Sequence, residues 1–132
     1  MNFYTSVERY GNSILYVGYE NAHRVIKRVK FEPTIFIPAK EKTEFVTLDG
    51  EYVNPHKPGT MRECKEFIET HSVSNFQIHG NTDYIAQYIA SVFPNERPFD
   101  ITLMNVVTLD FEVQSDQGFP QSHRDAIISV SY

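Results

Sequence analysis

FYTSVERYGNSILYVGYENAHRVIKRVKF, residues 3–31, decides the fold. Apolar and polar residues alternate through FYTSVERY and again through SILYVGYE, the period of a half-buried strand. Gly11-Asn12 breaks the two runs as a hairpin turn. Glu20-Asn21-Ala22 turns the chain a second time into HRVIKRVKF, which Pro33 ends. TIFIPA then reads as a short strand closed by Pro38. TEFVTL and EYV read as a further hairpin around the two-residue turn Asp49-Gly50.

Beyond Pro55 and Pro58-Gly59 the period changes. Thr60 followed by Glu63 has the spacing of a capping box, in which each side chain satisfies the other residue's backbone N–H. Met61, Cys64, Ile68 and His71 then share one helical face, with Phe67 beside them. Phe76-Gln77-Ile78 is expected as a short strand. Thr82 is expected to cap a second helix with the stripe Ile85, Tyr88, Ile89, Val92 and Phe93, stopped by Pro94. From Ile101 the alternation is β again through ITLMNVVTLDFEV, and after a loop at residues 116–120 DAIISVSY reads as a last strand. The fold class expected is α+β: a β-rich N-terminal domain with a helix–strand–helix unit, then a final hairpin.

The 132 residues are 41% hydrophobic and 22% charged, an ordinary folded composition for one domain or one domain and a piece of another. No apolar run approaches the roughly 20 residues of a membrane helix. The start has no basic and apolar signal segment. A single cysteine, Cys64, excludes an internal disulfide and a cysteine zinc cage. These features point to a reduced, cytoplasmic setting and no membrane partner. The net charge of −5 argues against a strongly basic nucleic-acid-binding domain, but its distribution is uneven. Residues 1–40 hold six Lys/Arg against three Glu, and residues 100–132 hold one against five acidic residues.

Two constellations can carry chemistry. In Leu109-Asp110-Phe111-Glu112-Val113, strand alternation sends Leu109, Phe111 and Val113 to a core and projects Asp110 and Glu112 together from the other face. Paired carboxylates on one rigid strand suit hard divalent cations such as Mg²⁺ or Mn²⁺. The same alternation marks any half-exposed antiparallel strand, and spacing alone does not separate the two. The second constellation is basic. Arg24, Arg28 and Lys30 are expected to share a strand face, with Tyr16 and Tyr19 on the strand before and Lys27 nearby. Cations and aromatic rings on a sheet suit single-stranded nucleic acid; a solvated face with tyrosines at its rim has the same composition. The five histidines have no metal spacing, and P-loop, dinucleotide and nucleophile-elbow motifs are lacking.

The chain resembles the N-terminal part of the family B DNA polymerases of T-even-type bacteriophages. FYTSVERYGNSI is similar to that family's opening strand, EPTIFIP to its second segment, and PHKPGTMRECKEFIE to its proline loop and helix. LDFEVQSDQGFPQSHRDAIISVSY resembles its first exonuclease motif with the following loop and strand. The resemblance implies an N-terminal domain over residues 1–100. It makes residues 101–132 the truncated start of a 3′–5′ exonuclease domain with a ribonuclease-H-like fold. Asp110 and Glu112 match the first metal-binding motif, with Mg²⁺ or Mn²⁺ as cofactor of the parent enzyme.

The expected function is thus that of an amino-terminal fragment of a replicative phage DNA-directed DNA polymerase, acting in the cytoplasm of an infected bacterium. DNA would be its partner as single-stranded template and primer-template. The resemblance permits RNA as well, and accessory replication proteins would join the parent. The fragment would be a template-proximal scaffold, catalytically inactive and without a tightly bound metal. Two other readings fit the residues: a stand-alone nucleic-acid-binding regulatory module, and a small metal-dependent nuclease, for which only two well-placed carboxylates are found.

Overall fold

The computed structural model describes residues 1–72 and 76–132. The chain divides into two compact units, Met1–Phe99 and Asp100–Tyr132.

The first unit begins with an antiparallel sheet of β1 (Asn2–Tyr10), β2 (Ser13–Glu20) and β3 (His23–Val29), in that order. Both expected turns form, with Tyr10 opposite Ser13 and Glu20 opposite His23. Gly11 sits at φ 61°, as a tight hairpin turn demands. In the second turn Asn21 and Ala22 are both left-handed, at φ 50° and 66°. Asparagine tolerates that region, whereas alanine is strained in it.

One irregularity sets which residues face where. Tyr4 pairs with Gly18 and Ser6 with Val17, so Thr5 is bulged out of the β1–β2 ladder. The bulge moves Phe3 opposite Tyr19, onto the face away from the helices. On the inner face Tyr16 passes over Gly18, and its hydroxyl donates to the Phe3 carbonyl at 3.3 Å. A Cβ on residue 18 would lie 2.3 Å from that oxygen, so only glycine fits.

A second sheet has β4 (Ile35–Pro38), β5 (Phe45–Val46) and β6 (Tyr52–His56) in the order β4-β6-β5. The expected two-residue turn at Asp49-Gly50 is instead a five-residue loop. Val46–Tyr52 is the last pair, Thr47 N–H donates to the Glu51 carbonyl, and Gly50 N–H to that of Thr47. Threonine at residue 47 binds the loop from inside with backbone and hydroxyl, which leaves Asp49 at the tip.

Helix α1 (Met61–His71) starts at the Thr60–Glu63 capping box. The Glu63 carboxylate accepts from Thr60 N–H at 2.7 Å, which holds its pKa below the usual range. Helix α2 (Tyr84–Val92) is capped by Asp83 and not by the expected Thr82. The Asp83 carboxylate accepts from Ala86 N–H at 3.0 Å, and an acidic cap also favours the positive helix end. No strand forms at residues 76–78. A single bridge pairs His79 with Phe36 through reciprocal 2.8 Å bonds, so the helix–strand–helix unit reduces to helix, bridge and helix. The Gln87 side chain ties α2 to the segment before β4. Its Oε1 accepts from Thr34 N–H and its Nε2 donates to the Thr34 carbonyl, both at 2.9 Å, and Nε2 also reaches the Asn81 carbonyl.

The core lies between the first sheet and the helices: Ile14, Tyr16, Ile35, Met61, Cys64, Tyr84 and Tyr88, ringed by Tyr4, Val7, Val25, Val29 and Phe31. Three buried tyrosines make it unusually aromatic. Tyr88 meets Tyr16 and Phe31 edge-on, at centroid distances of 6.4 and 5.6 Å. Burial, helped by a hydrogen bond with the Cys64 thiol, pushes the Tyr84 hydroxyl up to about 12.

The second unit is smaller and open. Ile101–Leu103 forms a 3₁₀ turn and not the expected strand, because the Asp100 carboxylate accepts from both the backbone N–H and the hydroxyl of Thr102. Strand β7 (Asp110–Val113) pairs antiparallel with β8 (Ile127–Ser131). No residue of this unit is buried. The expected core positions Leu109 and Phe111 are more than half exposed, and Val113 is only half-buried. Two strands have no second layer to cover them, so alternation selects a face without creating a core.

Two substitutions test the first sheet. Ala22→Gly relieves the left-handed alanine and should stabilise the chain by about 0.5–1 kcal/mol. Gly18→Ala should destabilise it by about 1–3 kcal/mol, as overpacking does. Urea midpoints measure both, and an unchanged midpoint in either variant contradicts the turn or the close approach.

Candidate functional site

The outer face of the first sheet carries the basic residues. Arg24 lies opposite Tyr19, Ile26 opposite Val17 and Arg28 opposite Leu15, so these six side chains share one surface. Arg28 stacks over the Tyr10 ring, 4.2 Å from its centroid. At the other end Tyr19 stacks on Phe3 at 5.0 Å, and Phe99 meets Phe3 edge-on at 5.4 Å. Arg24 and Arg28 are exposed, as is Lys30 just past the end of β3. Among the described residues none of these three forms an ion pair. Glu8, opposite Leu15, is the acidic residue on this face.

Tyr16 corrects the expectation. Residues three apart on a strand point to opposite sides, so Tyr16 and Tyr19 cannot share a surface. Tyr16 is 2% exposed in the core and pairs with Lys27, not with the arginines. Lys27 accompanies it on the inner face, 5.0 Å from the Tyr16 centroid and ion-paired with Glu20. The hydrogen bond that Lys27 donates to the Glu20 carboxylate holds the Lys27 pKa above its ordinary value. Lys27 is therefore separated from the outer basic face.

Tyr10 and Phe99 are the exposed aromatic residues that sequence reasoning missed there, and Phe3, fully buried, packs against Tyr19 and Phe99. The two-residue turn at Gly11-Asn12 carries the signal for Tyr10, since it fixes Tyr10 opposite Ser13 and on the face of Leu15. Phe3 has no such signal, because without the bulge at Thr5 it would point inward.

The acidic pair stands on the second unit. Asp110 and Glu112 are both exposed and lie opposite Ser131 and Ser129, so they share one face of the β7–β8 hairpin. Their oxygens are hard donors of the type that Mg²⁺ and Mn²⁺ prefer. No cluster of three or more metal-ligating side chains occurs among the described residues. The donor type suits a divalent ion, but two carboxylates are fewer oxygen ligands than such an ion takes.

The connection between β7 and β8 is organised by Arg124. Its guanidinium donates to the Asp125 carboxylate at 2.8 Å, to Gln117 Oε1 at 3.2 Å, to Ser115 Oγ at 3.3 Å and to the Phe119 carbonyl at 3.4 Å. Asp125 also accepts from Gln121 N–H at 2.8 Å. The Arg124 contact is the main cause that lowers the Asp125 pKa.

No family model matches the chain. Two curated relatives do. The chain is 28% identical over 120 residues to a DNA-directed DNA polymerase of Enterobacteria phage T4, covering 89% of this chain and 13% of that protein. It is 26% identical over 123 residues to a DNA-directed DNA polymerase of Escherichia phage RB69, covering 90% of this chain and 14% of that protein. The chain is similar to phage DNA polymerases. This bears out the resemblance carried by its motifs. The chain spans about one-seventh of the length of the curated relatives it matches. No helix among the described residues is long and apolar enough to cross a membrane.

The Asp125 contact gives a pH test. Because its folded pKa is depressed, its contribution to order is present above the unfolded value of about 3.9 and lost as pH falls through the lower folded value. Asp125→Asn should make residues 114–126 more susceptible to limited proteolysis at pH 7. The difference from the wild type should vanish under acid-tolerant protease at a pH below the folded value. Equal cleavage rates at pH 7 contradict the role given to Arg124.

Proposed function

We propose that this chain is the amino-terminal region of a replicative phage DNA polymerase of family B, comprising its N-terminal domain and the start of a 3′–5′ exonuclease domain with a ribonuclease-H-like fold. The observation that carries the reading is the similarity to two phage DNA polymerases along nine-tenths of the chain. On this reading the parent extends primers on a DNA template and removes mispaired ends.

Asp110 and Glu112 then supply oxygen ligands for Mg²⁺ or Mn²⁺ in the exonuclease site, and further ligands come from elsewhere in the parent. A divalent ion bound there would activate water and stabilise the leaving oxygen of phosphodiester cleavage. Both side chains are exposed on one face of the hairpin, so substitution there removes charge without removing packing. Asp110→Ala with Glu112→Ala in the full-length parent should abolish release of nucleotides from a 3′ end while primer extension continues near the wild-type rate. Wild-type exonuclease rates in that variant would show that the strand is misassigned. The 132-residue chain alone should degrade no single-stranded DNA with either metal, since two carboxylates cannot hold two ions and a phosphate in line. Robust degradation lost on Asp110→Ala would favour a complete small nuclease.

The outer face of the first sheet is the surface that would lie against single-stranded template, with Arg24, Arg28 and Lys30 on phosphates and Tyr19 offering a ring for stacking. Tyr10, held under Arg28, joins this surface. Each phosphate neutralised on a single strand contributes a slope of about −0.7 in log K against log salt. Replacing all three cations by glutamine should therefore flatten the slope by about two. Anisotropy titrations of a labelled oligonucleotide at several salt concentrations measure it. An unchanged slope removes the face from the interface and leaves the polymerase reading intact.

A further inference from the structure

We propose that a cleft on the second sheet docks an extended peptide segment of a partner protein, one that inserts an aliphatic or aromatic side chain and flanks it with lysine or arginine. The cleft has a volume of about 400 Å³ and is lined by Phe36, Phe45, Val46, Leu48, Val53 and His79, with Thr47 and Asp49 at its margin. That volume holds one or two apolar side chains and falls within the range of small binding clefts.

Three features give the occupant its chemistry. The walls are apolar, and they include side chains that folding leaves in water. Leu48 is fully exposed, and Phe45 and Val46 are exposed as well. Such a group of uncovered apolar residues on one short loop and strand marks a contact surface. The floor is fixed. The backbone of His79 bridges to Phe36 in both directions at 2.8 Å, and the Phe36 ring packs against that of Phe45 at 5.4 Å. A preformed floor lowers the ordering cost of binding.

The charge at the mouth is negative. Asp49 lines the cleft, and the exposed Glu51 carboxylate stands 3.7 Å from His79 Nε2, a buried nitrogen without a hydrogen-bond partner among the described residues. No lysine or arginine lines the cleft among the described residues. A phosphate-bearing ligand would be repelled, whereas a basic peptide complements the rim. Strand β5 is the edge of its sheet, so an extended segment can run beside it. This surface is separate from the outer face of the first sheet and does not depend on the polymerase reading.

Three fluorescein-labelled peptides and the intact 132-residue chain test the proposal: Ser-Lys-Leu-Phe-Lys-Ser, its glutamate twin Ser-Glu-Leu-Phe-Glu-Ser, and Ser-Lys-Ser-Ser-Lys-Ser. The lysine-flanked Leu-Phe peptide should bind saturably and shift the amide resonances of Val46, Leu48 and His79. The glutamate twin should bind about five- to tenfold more weakly, the effect of two exposed ion pairs. Leu48→Ser and, independently, Glu51→Lys should each weaken binding while leaving the thermal midpoint unchanged, because both side chains are solvent-facing. Absence of shifts at millimolar peptide overturns the proposal, as does equal binding by the Ser-Ser peptide or by the glutamate twin. An oligothymidylate that moves the same resonances would assign the cleft to nucleic acid and also overturn it.

Discussion

The hydroxyl of Tyr16 reaches the carbonyl of Phe3 only because residue 18 has no side chain, and this contact assigns the two faces of the first sheet. With Thr5 bulged beside it, the ladder shifts by one residue between Tyr4 and Ser6. Phe3 is then carried to the opposite face, buried against Tyr19 and Phe99, while Tyr4 is turned inward to join Val7 beside the helices. A one-residue slip in a strand exchanges its faces, so everything on β1 before the bulge owes its side to this one position.

The core also keeps three hydroxyl groups. Tyr16, Tyr84 and Tyr88 all lie in it, and burial is the first cause that raises each of their pKa values. Each therefore stays neutral at physiological pH. Tyr16 spends its proton on a backbone carbonyl, which a phenylalanine could not do. Lys27, of opposite parity to Arg24 and Arg28, lies over the Tyr16 ring on the inner face and is ion-paired with Glu20.

How far the sequence reveals this depends on whether the deciding signal is local. Gly11-Asn12 fixes a hairpin and its register by itself, and Thr60 with Glu63 announces the start of α1 within four residues. The common face of Asp110 and Glu112 follows from strand alternation alone. The bulge at Thr5 has no local signature, because a carbonyl–hydroxyl contact between Phe3 and Tyr16 compensates it from thirteen residues away. Thr82 and Asp83 are both competent caps in adjacent positions, and the choice rests on which can reach Ala86 N–H. Leu109 and Phe111 are apolar and alternate correctly, but a core needs a second layer, which alternation does not provide. For the basic outer face, parity on β2 is enough to separate Tyr16 from Tyr19, and the register of the second turn is enough to pair Tyr19 with Arg24.

Gln87 illustrates a different kind of constraint. Its amide serves Thr34 as both acceptor and donor and gives its second N–H to Asn81. Glutamate has the same shape but would set oxygens against two carbonyls, and leucine or methionine would leave Thr34 without partners. Ile35, next along the chain and fully buried, is specified mainly by volume and has several acceptable substitutes. The half-buried amide is thus the narrower position of the two. Over long divergence, such a site changes only when its backbone partners are rebuilt with it, so tolerance at neighbouring positions is set by the number of hydrogen bonds to be matched as much as by depth in the core.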